Sequence, residues 1–210
     1  MFVVVLDPAH GGTDTGARGS TGAVEKDLTL EIARSTRTQL LQLGLHAILT
    51  RDGDEDPSFD DRAALANAQR SAILVSFHVS STGQIGTARA YSYLFSTNPE
   101  SAEAPAETRP RPASLLTPWV AAQESYVDAS HRLADLIQAE LARQFPGSPS
   151  ASVAFPARDL RSIAAPGVAV ELSSVTVQDP HALAPMIATL ASSVARSIVA
   201  FHSTYAEGAR

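Results

Sequence analysis

Three side chains on separate segments of this sequence have the types that hold a hydrolytic metal: His10, Glu25 and His78. Two histidines and a carboxylate, with a fourth position left for water, form the donor pattern of a catalytic zinc site. There is no cysteine, which excludes disulfides, thiolate catalysis and cysteine zinc sites together. Any metal must therefore be held by histidine and carboxylate. Each candidate also has an ordinary explanation. Loop histidines are mostly solvated, Glu25 suits the first turn of a helix, where acids favour the positive end of the dipole, and His78 suits a core position with a satisfied ring. Sequence spacing alone does not bring the three together. Glu171 poses a related question, because it interrupts the apolar run Val168 to Leu172, where a carboxylate belongs only if it is paired or used. Exposure to solvent, or a partner such as Arg51 or Arg62, would account for it as well.

The elements that must position these groups read as an α/β pattern. Phe2 to Leu6 is a short apolar run rich in β-branched residues, the signature of a strand buried on both faces of a mostly parallel sheet. Asp7-Pro8 is expected to end it, delivering His10, Gly11 and Gly12 to the carboxyl rim where ligands of open α/β sheets bind. The glycines at 16, 19 and 22 match neither a dinucleotide fingerprint nor a phosphate loop. Helical spacing predicts a first helix over 25–43, closed by Gly44, and a short one over 60–69. Strands are expected over 45–50, 72–77 and 88–95, the last nearer an edge. The third hands His78 to the rim just as the first hands over His10. Further on, helices are predicted over 126–145 and 181–205, with a minor strand at 153–155 and a confident one at 167–172. The expectation is one domain spanning 1–210, a twisted, mostly parallel sheet with helices on both faces. A proline-rich insertion or lid falls at about 97–118, whose composition cannot easily order itself.

Composition removes several classes of function. A formal charge of -6 without any Lys/Arg run argues against a nucleic-acid or anionic-membrane partner. No apolar stretch looks long enough to span a bilayer, and Met1 leads into a strand rather than a signal peptide. On that reading the protein is cytoplasmic, or the sequence is the mature domain alone. His46, His131, His181 and His202 lie in helices or at an ordinary strand start and read as structural or solvated.

The matching blocks LDPAHGGTDTGARG, GAVEKDLTLEIA, LTRDGDEDPSFDDRAALAN, SFHVS, DASHRLADLI and PGVAVEL occur in one order and cover most of the chain. Together they resemble the zinc-dependent N-acetylmuramoyl-L-alanine amidases of the amidase-3 family, which cut between the glycan lactyl group and the stem peptide of peptidoglycan. The resemblance implies Zn2+ held by His10, Glu25 and His78, with Glu171 as the catalytic carboxylate. It also implies peptidoglycan or muropeptides as substrate and a periplasmic or extracellular location; no activator protein is identified. Ala9, Ser80 and Ser173 depart from the family's usual glycine, asparagine and glycine, which bears on how His78 and substrate are oriented.

The chemistry is consistent on its own terms. Zinc acidifies water and polarises a carbonyl, so no protein nucleophile is needed. A carboxylate must then carry the proton to the leaving amine, and Glu171 suits that task. The rival readings are a degenerate, non-catalytic cell-wall binding module and a zinc peptidase of related fold. A serine hydrolase is disfavoured, because no GxSxG elbow occurs.

Overall fold

The computed structural model describes residues 1–20, 22–94, 119–173 and 180–208. The expected insertion at 97–118 therefore lies outside the described residues. In chain order the elements are β1 (Val3–Pro8), α1 (Glu25–Gln42), β2 (His46–Leu49), α2 (Phe59–Asn67), β3 (Ala72–Ser80) and β4 (Ala88–Tyr93). A 3-10 segment, Trp119–Tyr126, then leads into α3 (Val127–Gln144), followed by β5 (Val153–Phe155), β6 (Gly167–Ser173) and α4 (Pro180–Gly208).

The six strands form one sheet in the order β2-β1-β3-β6-β4-β5. β1 pairs in parallel with β2 and β3, and β3 with β6, so four strands point their carboxyl ends to the same rim. β4 runs antiparallel to β6 and carries β5 in parallel on its far side. β4, expected nearer an edge, lies second from it, with the three-residue β5 outermost.

Alternation along the strands sorts the residues onto two faces. Val4, Leu6, Val75, Phe77, Val170 and Leu172 bury against α1, α3 and α4, which supply residues such as Ile32, Leu133 and Leu190. The other face, through Val3, Val5, Leu74 and Ala169, meets α2 and the segment bearing Leu160 and Ile163. Helices thus cover both faces, but unevenly. Burial of each large apolar side chain contributes about 1.5–3 kcal/mol, so most of the stabilisation comes from the three-helix side. α2 is fixed by a reciprocal cap: Ser58 Oγ accepts from the Asp61 amide at 3.2 Å, and Asp61 accepts from the Ser58 amide at 3.1 Å.

Three local expectations are corrected. β1 does not stop before Asp7-Pro8 but runs through Pro8, which pairs with Phe77 in register. As the last strand residue, proline forfeits little, and the ladder closes with the Ala9 amide donating to the Phe77 carbonyl at 3.2 Å. β3 likewise continues to Ser80, placing His78 within the strand. Finally, Leu183–Tyr205 in α4 is long and apolar enough to cross a membrane, with mean hydropathy 1.5, contrary to the reading that no such stretch exists. Its Leu190, Val194, Ile198 and Phe201 are buried in the core shared with α1 and α3, which accounts for its apolar character.

Candidate metal centre

His10 leaves β1 in the left-handed region, at φ 63, a conformation that costs a non-glycine residue energy and persists only when its surroundings hold it. Two buried arginines do so. Arg62 donates to the carbonyls of Pro8 and His10 at 2.8 and 2.9 Å, and Arg51 to those of Pro8 and Ala9 at 3.0 Å. Arg62 is itself neutralised by buried Asp7 at 2.7 Å. These contacts aim the imidazole across the rim toward α1.

Glu25 opens α1 and is 6% exposed. Its carboxylate accepts from the amides of Ala17 at 2.8 Å and Val79 at 3.0 Å, so the glycine-rich loop and β3 both hold it. Glu25 Oε2 lies 3.2 Å from His10 Nε2, and Oε1 lies 3.3 Å from His78 Nδ1. One ligand atom from each of the three residues falls within 4.8 Å of the others. Two zinc ligands with bonds of about 2.0–2.1 Å at tetrahedral angles sit about 3.3 Å apart, so the observed spacing fits a shared ion. Gly16 approaches as only glycine can: at φ +61, an added Cβ would meet Glu25 Oε2 at 2.5 Å and His10 Cδ2 at 2.6 Å.

The outer nitrogen of each ring also faces a carboxylate. His10 Nδ1 lies 2.8 Å from Asp14 Oδ2, and His78 Nε2 lies 3.2 Å from Asp159 Oδ2. Donation of the outer N–H to these acids leaves the inner nitrogen of each ring as the lone-pair donor, the arrangement that orients metal-binding histidines. Charge follows geometry. The bond to Glu25 raises the His10 pKa against the opposing effect of burial, with Asp14 adding to it. For His78 burial pulls downward, but the bonds to Asp159 and Glu25 prevail and push it up to about 10. Burial likewise opposes ionisation of Glu25 and Asp159, yet both are held below the usual carboxylate range, Glu25 by the two histidines and Asp159 by His78. The cluster is built to surround positive charge.

Glu171 sits on β6 directly beside His78 in the parallel register. It binds neither Arg51 nor Arg62, which are engaged with Asp7 and loop carbonyls. The Tyr91 hydroxyl, from β4, donates to Glu171 Oε1 at 3.4 Å. Burial and the charge of Glu171 raise the Tyr91 pKa, which keeps that hydroxyl protonated.

All four residues singled out from the sequence thus meet at one rim. Three partners escaped the sequence reading. Asp14 carried a signal, four residues after His10, whereas Asp159 and Tyr91 reach the site only through the fold. Ser80 binds Thr82 and does not touch the ring of His78, whose orientation comes from Asp159, with Ser76 Oγ 3.4 Å away. Ser173 is buried and ties β6 to Thr87 through its amide, and Ala9 offers its carbonyl to Thr29 and Arg51. Of the remaining histidines, His202 packs against Phe2 with its ring tilted and His131 lies 3.7 Å from Asp135, both away from the site.

Known proteins resemble this chain in sequence and in fold. AmiA, an N-acetylmuramoyl-L-alanine amidase of Escherichia coli, is 45% identical over 76 residues, spanning 36% of this chain and 26% of that protein. The sporulation-specific N-acetylmuramoyl-L-alanine amidase of Bacillus subtilis is 41% identical over 88 residues, 41% of this chain and 34% of that one. The matches therefore span about a quarter to a third of these relatives. Among solved structures, AmiC2 of Nostoc punctiforme superposes with a TM-score of 0.72 at 23% identity, covering 96% of this chain and 97% of that one. CwlD of Clostridioides difficile, solved in complex with the GerS lipoprotein, gives 0.71 at 19% identity, covering 96% and 98%. At such identities these structures establish the fold. The family model described as N-acetylmuramoyl-L-alanine amidase, Amidase_3, matches residues 4–199, and the chain belongs to that family.

Proposed function

We propose that this chain is a zinc-dependent hydrolase that cleaves the amide between N-acetylmuramic acid and the L-alanine of the peptidoglycan stem peptide. The observation that carries the reading is the convergence of His10, Glu25 and His78 ligand atoms within 4.8 Å, beside the Glu171 carboxylate. Zinc, when bound by the three side chains, supplies carbonyl polarisation and a water that deprotonates near neutral pH. The protein's own groups do the rest. Asp14 and Asp159 fix the tautomers of the two histidines. Glu171, oriented by Tyr91, takes a proton from the attacking water and returns it to the nitrogen as the C–N bond breaks, since an amide nitrogen leaves poorly without one. The products are a free lactyl carboxylate and a stem peptide with a free amine. Because peptidoglycan lies outside the cytoplasmic membrane, the proposal places the enzyme in the periplasm or outside the cell.

Incubation of zinc-loaded protein with purified peptidoglycan, followed by mass analysis, tests this reading. Release of intact stem peptides supports it. Cuts within the peptide would replace it with a zinc peptidase, and binding without products with a non-catalytic wall module. Glu171→Gln keeps size and reach but removes basicity, so zinc content should persist while turnover falls about a hundred to ten thousand fold. Turnover near the wild-type rate would displace Glu171 as the shuttle.

A further inference from the structure

We propose that the cavity walled by Glu171 is the subsite for the departing peptide, and that Arg158 selects peptides with a free carboxylate close behind the scissile amide. The proposal rests on the amidase reading, because the proton shuttle decides which half of the substrate lies on which side.

Two cavities flank His78. One, of ≈ 260 Å³, is lined by His10, by Arg62 and by the acids Asp7, Asp14, Asp56 and Asp159, the last shared with its neighbour. The other, of ≈ 320 Å³, has Glu171 in its wall together with Phe59, Tyr91, Phe155 and Arg158. Glu171 borders only the second. The group that protonates the leaving nitrogen must reach it, so that nitrogen sits at the mouth of the second cavity and the residues after it continue inward. The volume lies near the small end of ligand pockets, roughly 300 Å³, which suits one or two residues rather than a glycan chain.

The lining supplies the chemistry of recognition. Phe59 and Phe155 are 46% and 53% exposed, large aromatic surfaces left open beside a catalytic carboxylate. The Arg158 guanidinium lies 4.6 Å from the Phe59 ring centroid. A cation–π contact of this kind holds the guanidinium beside the ring without using its N–H groups, which can meet a carboxylate with two parallel hydrogen bonds. Among the described residues Arg158 forms no ion pair; its neighbour Asp159 is committed to His78. In a chain of net charge -6, a cation held at this wall is not part of a general basic surface. The opposite cavity carries four acids against one cation, Arg62, which is itself paired with Asp7, so it disfavours an anionic ligand. The second cavity has acids too, Glu171 and the shared Asp159, but Asp159 is paired with His78. Arg158 is the cation of the two linings that has no ion pair among the described residues, so the peptide's carboxylate belongs with Arg158.

The test compares two muramoyl peptides that differ only in the carboxylate of the second peptide residue, free or amidated, with wild type and Arg158→Gln. Wild type should show a kcat/KM for the free acid about ten to a hundred fold above the amide, the range of a charge-assisted hydrogen bond. In Arg158→Gln that ratio should fall to about one, and Arg158→Lys, with charge but no fork, should recover part of it. Calorimetric binding of the two released peptides should show the same preference and the same loss. Equal handling of both peptides by wild type, or an unchanged ratio in Arg158→Gln, would overturn the subsite. Should neither muramoyl peptide be cut while the peptide-binding preference is present and lost in the variant, the amidase reading fails and the assignment to a departing peptide falls with it, while the selection of a carboxylate by Arg158 stands.

Discussion

Alternate residues of β3 face two differently built halves of the molecule. Ile73, Val75, Phe77 and Val79 are fully buried against the three long helices, and that face stays apolar to the strand's end. On the other face the run Leu74, Ser76, His78 turns polar toward the carboxyl rim, and its neighbours Asp7 and Glu171 do the same. The contrast teaches how a small domain accommodates a charged centre. One face supplies cohesion through apolar burial, which leaves the other free to hold groups that contribute little to it. The polar face is tolerated because its groups are bonded: among the described residues, no buried side-chain nitrogen or oxygen lacks a partner.

The sharpest way to break this comparison is to substitute one residue on each face. Phe77→Ala removes a ring of zero exposure and should cost about 3–5 kcal/mol of unfolding free energy, measured by chemical denaturation. Glu171→Gln, on the polar face of the adjacent strand, should change stability by less than about 1 kcal/mol. Its side chain is only half-buried and engages Tyr91 through one long bond. A Glu171→Gln loss as large as that of Phe77→Ala would mean the polar face is also a main source of cohesion.

How much of this could be read from the chain follows the same division. The β-branched run of β1 and the position of His10 after it were legible because both are local, and the resemblance carried Glu25, His78 and Glu171 to one site. Asp159 was not legible, since it meets a ring 81 residues away and Arg-Asp-Leu in a loop has no pattern of its own. The direction of β4 was hidden as well, because alternation looks the same in parallel and antiparallel strands. The misjudged span in α4 has a related cause: a helix packed into a core with α1 and α3 can match the length and apolar composition of one that lies in lipid.

Within the polar face, a smaller effect separates the two outer carboxylates. Asp159 has a side-chain exposure of 9% and Asp14 of 56%, although each meets the outer nitrogen of one histidine. Asp159→Asn should therefore lower zinc affinity about ten to a hundred fold, measured by competition with a chromophoric chelator. Asp14→Asn should lower it less, because water can replace an exposed acceptor. The reverse order would show that burial is not what gives these partners their influence.

The smallest effect comes from a carboxylate outside both faces. Asp52 is 50% exposed and accepts from Arg34 at 2.7 Å and Arg37 at 2.8 Å, whose hydrogen bonds hold it below its ordinary pKa of 3.8. A depressed carboxylate stabilises the fold above its unfolded pKa, and that contribution disappears as pH falls through the lowered folded value. Because the cluster is solvated, its worth at neutral pH is at most about 1 kcal/mol, and salt screens it. Asp52→Asn should therefore lose a few tenths of a kcal/mol near pH 7 in low salt, by roughly the measure of an exposed pair. The gap from wild type should close both in about 1 M salt, where the Debye length is near 3 Å, and in strong acid. A loss of several kcal/mol, or a gap that persists after the wild-type carboxyl is protonated, would show that exposed and buried carboxylates in this fold do not obey the separate scales assigned to them.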